Sequence, residues 1–305
     1  MFDAAIIGGS FAGLSAAMQL GRASRSVIVI DDGQPRNRTS RAAHGVPGWD
    51  GVAPGDILAR FRADLSAYPT VRLAEGRVRN VKEQIDGFTL ELETAPPVMA
   101  RRIVLAHGVR DILPEVPGLA EGWGRTVLHC PYCHGYEVKG RPLAVLATGP
   151  MAVHQARMLR ADWSDRVTLL TGLAEGLDVA ALEGFGIEID PRRLEGIDYG
   201  DGLTVSFAEG APLKLAAIFL TPAISLAGSP AEALGLALTD GPMGSFVRVG
   251  PMMQTSRSCV FAAGDLARAA PSVNFAVGDG AAAGAACHQS LIFSDLIQPI
   301  QKEAA

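Results

Sequence analysis

The feature that most restricts this chain is a six-residue glycine turn near its start. Gly8-Gly9-Ser10-Phe11-Ala12-Gly13 lies between an apolar run, DAAII at 3–7, and an Ala-rich stretch that reads as a helix from about Gly13 to Arg22. A turn of this kind brings backbone N–H groups to a helix N-terminus, where the helix dipole favours an anion such as a pyrophosphate. Gly8 permits the tight bend, and Gly13 lets helix and strand pack closely. Ser10 stands where the usual pattern has its middle glycine, and its small side chain still admits a phosphate. SVIVID (26–31) reads as the next strand. Asp31 closes it about 20 residues beyond the turn, where an acidic group accepts hydrogen bonds from ribose hydroxyls. In that strand–turn–helix–strand context the glycines predict a dinucleotide site rather than an ordinary turn.

Beyond this unit, apolar strands continue to alternate with helical stretches, which predicts an α/β fold with parallel sheets. A Gly/Pro/Arg/Asn-rich loop spans 33–55. Residues 71–93 read as a small antiparallel insertion, and RRIVLAHG (101–108) as a buried strand. Pro114 and Pro117-Gly118 mark a domain crossing. A second strand–turn–helix–strand unit opens at Arg141, with PLAVLATG, a helix to about Ala161, and RVTLLT. A return crossing is expected near 241–245. SCVFAAGD (258–265) then reads as a strand ending in a polar turn, followed by an Ala/Gly-rich helix from about Phe275.

Composition narrows the class. The net charge is -5 and there is no basic block to track a phosphate backbone, so nucleic acid is not expected as a partner. No segment reaches the ~18 uninterrupted apolar residues that a membrane span needs. The Ala276–Ala286 stretch is short and broken by Asp279. The start lacks the basic region of a secretory signal, and a cytoplasmic location is expected. Four cysteines in 305 residues do not make a secreted disulfide scaffold.

Two of those cysteines stand three positions apart, in His129-Cys130-Pro131-Tyr132-Cys133-His134-Gly135-Tyr136-Glu137. A C-x-x-C pair whose first turn is helical closes a small disulfide ring, and the helix N-terminus lowers the thiol pKa. His134 is placed to hold or release the proton that accompanies electron transfer. A closed zinc site is the rival reading, but it needs four ligands and no second cysteine pair exists. Cys259 and Cys287 stand alone in apolar contexts and read as packed thiols. No metal site is expected.

With both motifs placed, the chain resembles the thioredoxin reductase family of flavoproteins. AAGD (262–265), followed by SVNFAVGDGAAAGAA, is similar to the second FAD motif of flavin-dependent disulfide reductases. The resemblance implies FAD as cofactor and two Rossmann-like domains. The FAD domain is built from two segments, 1–113 and 244–305, enclosing a nicotinamide-type domain, 114–243, that carries the C-x-x-C. It implies that Asp265 holds the ribityl chain, with Gly264, Asn274, Phe275 and Ala276 near the flavin. By the same resemblance Arg36, Asn37, Arg38 and His44 from the loop after the second strand belong to the cofactor surface. So do Val78, Ala106 and Gly108. His107, where the family often has threonine, is given no role. A homodimer is implied.

Two departures point within the family. Thioredoxin reductases carry an aspartate after the second cysteine, whereas this chain has His134, which resembles the dithiol oxidases that close disulfides in natural products such as gliotoxin, holomycin and romidepsin. The second nucleotide turn reads Ala147-Thr148-Gly149-Pro150-Met151-Ala152, with its first glycine lost. The following strand ends Leu170-Thr171-Gly172, with neither arginines for NADPH nor an acid for NADH. Arg157, Arg160 and Arg166 lie nearby, and whether NAD(P)H binds stays open. The expected activity is oxidation of a small-molecule dithiol through Cys130, Cys133 and flavin, with O2 as acceptor. His134 is the expected base and His129 a second candidate. An NAD(P)H-dependent disulfide reductase and a non-enzymatic redox sensor are the alternatives.

Overall fold

A computed structural model describes residues 1–293 and 298–301, and in it the chain divides into two units, each built on a parallel sheet. The first comprises Met1–Arg38, Gly55–Arg110 and the chain from Ile224 onward. Its parallel strands run in the order Val71–Glu75, Val27–Asp31, Phe2–Ile7, Val98–Leu105, Val260–Ala262. The central strands are apolar on both faces and fully buried at Ala4–Ile6 and Ile103–Leu105, as expected of strands covered by helices on each side. Val98–Leu105 divides its far edge. Its start pairs antiparallel with Gly87–Leu92, and its end pairs with Val260–Ala262.

The sequence reading of 71–93 as one antiparallel insertion is corrected here. Val71–Glu75 lies parallel to Val27–Asp31, with Val71 opposite Val27, after a crossover through the helix Pro54–Leu65. Only Val78–Gln84 and Gly87–Leu92 form the antiparallel hairpin.

The Ala/Gly-rich stretch near the C-terminus has a packing explanation. It lies within the helix Val273–Ile292, which lies against the helix Phe11–Arg22 at backbone range. A Cβ on Gly284 would sit 2.5 Å from the Ala16 carbonyl oxygen, and one on Gly280 would collide with the Ala12 carbonyl. Ser15 Oγ donates to the Val277 carbonyl across the seam at 2.7 Å. Small residues are therefore required by helix contact. Among the described residues no helix is long and apolar enough to cross a membrane.

The second unit comprises Thr39–Pro54 and Asp111–Ala223. Its parallel strands are Glu188–Asp190, Val167–Leu170, Leu143–Leu146, Ala217–Phe219 and Val127–Leu128, in that order. The helix Met151–Asp162 makes the crossover. Leu194–Asp198, Leu203–Phe207 and Leu213–Leu215 form an antiparallel sheet. The central strands Leu143–Leu146 and Ala217–Phe219 are fully buried.

The expected return crossing near 241–245 falls instead at 223/224. Ile224, Ala231, Leu234, Leu236, Met243 and Val247 all join the core of the first unit. The Gly241–Gly244 punctuation belongs to a hairpin turn within that unit, between Leu238–Gly241 and Gly244–Val247. Thr39–Pro54 also departs from the expected first segment. It groups with the second unit, where a Cβ on Gly124 would collide with Thr39 Oγ1.

Candidate active site: a glycine turn and a dithiol turn

In the first unit the chain leaves the strand Phe2–Ile7 through Gly8, whose φ of 103° and missing side chain are both required. A Cβ there would collide with the Ala106 carbonyl, and one on Gly13 would collide with the Gly8 carbonyl. The Gly9 amide donates to Asp31 Oδ1 at 3.0 Å, which fixes the acidic end of the second strand beside the turn. Ser10 is the N-cap residue in extended conformation, and its side chain makes no capping hydrogen bond. The first-turn amides are thus left to other acceptors. Phe11 and Ala12 are buried, Phe11 edge-on to Phe61 at 6.0 Å.

Other expected residues assemble around this turn. Gly264, with φ 81°, brings the AAGD turn so close that its Cβ would lie 2.9 Å from Ala12 Cβ. Arg36 pairs with Asp265 at 3.1 Å. Asn37 is half-buried in the same loop, while Arg38 turns back to the Pro35 carbonyl. Val78 and Ala106 are buried, and Gly108, φ 67°, has open space where a side chain would be. Asn274, Phe275 and Ala276 lie in the first turn of the helix Val273–Ile292, which starts two residues before the expected Phe275. Ser272 Oγ caps that helix by accepting from the Phe275 amide.

Sequence reasoning missed Arg62. From the helix Pro54–Leu65 it donates to both Asp31 Oδ2 and the Gly9 carbonyl, each at 3.2 Å. His107 is also unusual. Both ring nitrogens are buried without a hydrogen-bond partner. Burial pushes its pKa down to about 4, with the Gly108 backbone opposing, so the ring is neutral.

In the second unit the strand Val127–Leu128 runs into His129 and Cys130. Cys130 is the extended N-cap of the helix Pro131–His134, and Pro131 takes the first helical position, where its missing N–H costs nothing. The Cys133 amide closes the turn on the Cys130 carbonyl at 3.2 Å. Gly135 follows because a Cβ there would press on Trp163 Nε1 at 2.6 Å and on the Pro131 carbonyl at 2.7 Å. Exposed Tyr132 stands edge-on to Trp163, 5.8 Å between ring centres. Neither cysteine is in a disulfide, and both are half-buried.

Cys130 is acidified to about 7. The Cys133 thiol donates to its thiolate, and the amides of Cys133 and Tyr132 add to that against the cost of burial. His134 is held below the usual histidine range. Burial is the main cause and His44 the second, with Glu137 pulling the other way. His44, expected on the cofactor surface, groups with the second unit, and its ring stands edge-on to His134 at 6.4 Å. Gln155, also missed, is 5% exposed and donates from Nε2 to the His129 carbonyl at 2.6 Å. Its Oε1 is buried with no hydrogen-bond partner. Cys287, by contrast, is fully buried, and burial pushes its thiol up to about 12. Among the described residues no group of three or more His, Cys, Asp and Glu is placed to hold a metal ion.

The second unit also has its own strand–turn–helix. There Ala147 is fully buried and Thr148 Oγ1 donates to the Thr221 carbonyl at 2.7 Å. Pro150, which has no N–H, caps the helix Met151–Asp162. The Ala152 and Val153 amides turn back to the carbonyls of Gly149 and Pro150. The nearby cations are engaged locally. Arg192 forks onto Asp190 and lies over Phe207, Arg157 lies over Phe185, and Arg160 and Arg166 reach backbone carbonyls.

The sequence profile of the pyridine nucleotide-disulphide oxidoreductases matches residues 2–280. The chain belongs to that family. It is 36% identical over 298 residues to the thioredoxin reductase tcpT of Claviceps purpurea (strain 20.1), covering 92% of each chain. To the thioredoxin reductase sirT of Leptosphaeria maculans it is 33% identical, covering 97% of this chain and 96% of that one. Among solved structures, an oxidoreductase from Agrobacterium tumefaciens superposes with a TM-score of 0.91 at 44% identity, over 96% of this chain and 99% of that one. HlmI superposes with a TM-score of 0.89 at 35% identity, over 97% of this chain and 94% of that one. The chain is therefore an oxidoreductase of a family that typically binds FAD, and the glycine turn, the uncapped first-turn amides and Asp31 fit such a dinucleotide.

Proposed function

We propose that this protein is a flavin-dependent dithiol oxidase, closing a disulfide in a small-molecule dithiol through Cys130 and Cys133, with molecular oxygen taking the electrons as hydrogen peroxide. The observation that carries this reading is one short turn holding both an acidified thiol, Cys130, and an imidazole, His134, biased toward its neutral form. A neutral imidazole beside the pair is the base that an incoming thiol needs, since only the thiolate attacks a disulfide.

His134 takes the proton from the first substrate thiol. The resulting thiolate attacks Cys130 of the oxidised pair, forming a mixed disulfide and releasing Cys133 as thiolate. The second substrate thiol gives its proton to the Cys133 thiolate and attacks the substrate sulfur of that mixed disulfide, expelling Cys130 as thiolate. A leaving thiol of low pKa departs faster, so the acidity of Cys130 favours this step. The product disulfide leaves, and the enzyme pair holds two electrons. Gly8–Gly13 would hold the pyrophosphate of FAD, Asp31 its ribose and Asp265 its ribityl chain. When bound, FAD supplies the two-electron acceptor for the reduced pair.

The direction of electron flow rests on the second turn. Its proline cap, its buried Ala147 and its locally tied arginines offer a nicotinamide dinucleotide little to hold. The rival, an NAD(P)H-dependent disulfide reductase, draws support from the names of the relatives tcpT and sirT. The test is oxygen consumption by the FAD-loaded protein with dithiothreitol. The oxidase consumes oxygen and forms peroxide, and both Cys130→Ser and Cys133→Ser abolish it. Oxygen uptake that survives both substitutions contradicts the reading.

A further inference from the structure

His44 lies far along the chain from the dithiol turn, yet the fold of the second unit brings the two together. Its ring stands at 82° to that of His134, with 6.4 Å between centres. Its Nε2 is 3.6 Å from Glu137 Oε1, and its Nδ1 is 3.7 Å from Asp50 Oδ1. Asp50 is itself anchored by the Gly45 amide at 2.7 Å, so the loop presents His44 from a closed turn. The groups facing His44 are thus Asp50 from its own loop, Glu137 from the turn after the redox helix, and His134. Those facing His134 are His44 and Glu137.

We infer that His44 is a positioning residue of the dithiol site: it competes with His134 for Glu137 and for a single proton, and so keeps His134 free to act as base. Two imidazolium ions this close repel each other, while one carboxylate at Glu137 suffices to hold one cation. Asp50 and Glu137 both flank His44, so a positive charge shared by the two rings is better compensated at His44 than at His134. The proton that His134 takes from a substrate thiol is passed on to solvent, so charge is conserved over the turnover.

The role assigned to His134 rests on the proposed oxidase reading, so the test reads the pair directly as well as through activity. In the FAD-loaded protein with 13C-labelled histidine, the Cε1 resonance of His134, assigned with His134→Gln, is titrated against pH. His44→Gln removes both the repulsion and the competitor for Glu137, and raises the His134 midpoint by about half to one pH unit. Glu137→Gln removes an attraction and lowers it. The acid limb of dithiol-driven oxygen uptake moves with the midpoint in each variant. A His134 midpoint unchanged in His44→Gln, or lowered, overturns the inference. So does an acid limb that stays fixed while the midpoint moves. If the midpoints shift as expected but no variant or parent consumes oxygen, the pairing stands and the oxidase reading fails.

Discussion

The two units share the order of four parallel strands, with the edge strand supplied from later in the chain in the first and from earlier in the second, and the contrast lies in the turns that follow Phe2–Ile7 and Leu143–Leu146. At Gly8 and Gly13 the close approaches are backbone to backbone, the N-cap side chain leaves the helix amides unclaimed, and the acid at Asp31 is fixed by the Gly9 amide. At Ala147–Ala152 a buried methyl stands where a glycine belongs, a proline caps the helix, and the next amides are already paired. One turn leaves its helix amides open to an acceptor and the other is closed on itself. On the proposed reading the same fold serves two ends: one unit to seat a dinucleotide, the other to present a dithiol.

Substitutions graded by size break or sharpen this contrast. Gly13→Val drives a branched side chain into the Gly8 carbonyl; it is expected to cost more than about 3 kcal/mol and to leave the purified protein without yellow colour. Thermal unfolding and the flavin-to-protein absorbance ratio read both effects.

The ends of the fourth parallel strands supply the next comparison. Thr221 in the second unit gives its carbonyl to Thr148, whereas His107 in the first has two unpaired ring nitrogens. The folded-state pKa of His107, about 4, lies below the unfolded value, so the unfolded chain binds more protons between the two. The stability this group contributes is present above about pH 6.5 and is lost as pH falls toward 4, by about 3 kcal/mol in all. His107→Gln removes that part of the acid loss, and Tm measured from pH 4 to 7 shows the flatter profile.

Asp31→Ala leaves the Gly9 amide without its acceptor and Arg62 with the Gly9 carbonyl in place of two acceptors. FAD affinity should fall by tenfold or more, about 1–3 kcal/mol, in a flavin-release titration. Gln155→Leu loses the bond to the His129 carbonyl but also removes a buried unpaired oxygen, so stability changes by less than about 1 kcal/mol. Dithiol-driven turnover nonetheless falls by roughly tenfold, because the dithiol turn is no longer held. The smallest effect belongs to the closed turn. Gly149→Ala adds a methyl to open space, and both stability and dithiol turnover stay within about 0.5 kcal/mol of the parent.

What was legible in the sequence follows from how local each signal is. The Gly8–Gly13 turn, the paired cysteines and the Asp265 turn are short patterns whose neighbours in sequence are their neighbours in space. His44 and His134 have no such link, and only the fold of the second unit unites them. The return crossing was misplaced because Gly and Pro mark hairpins and domain boundaries alike, and at Gly241–Gly244 they mark a hairpin. Gln155 did leave a trace. It is a polar residue on the buried face that Ala152, Ala156 and Leu159 define, the position where a helix has no use for an amide unless the amide holds something.

The central claim is that electrons enter at the dithiol turn and not at the second nucleotide turn. Anaerobic stopped-flow of the FAD-loaded protein, mixed in turn with dithiothreitol and with NADPH and followed by loss of flavin absorbance, tests it most directly. The account predicts bleaching by the dithiol, abolished in Cys133→Ser, and none by NADPH on that timescale. Rapid bleaching by NADPH with none by the dithiol contradicts it and makes the protein a disulfide reductase.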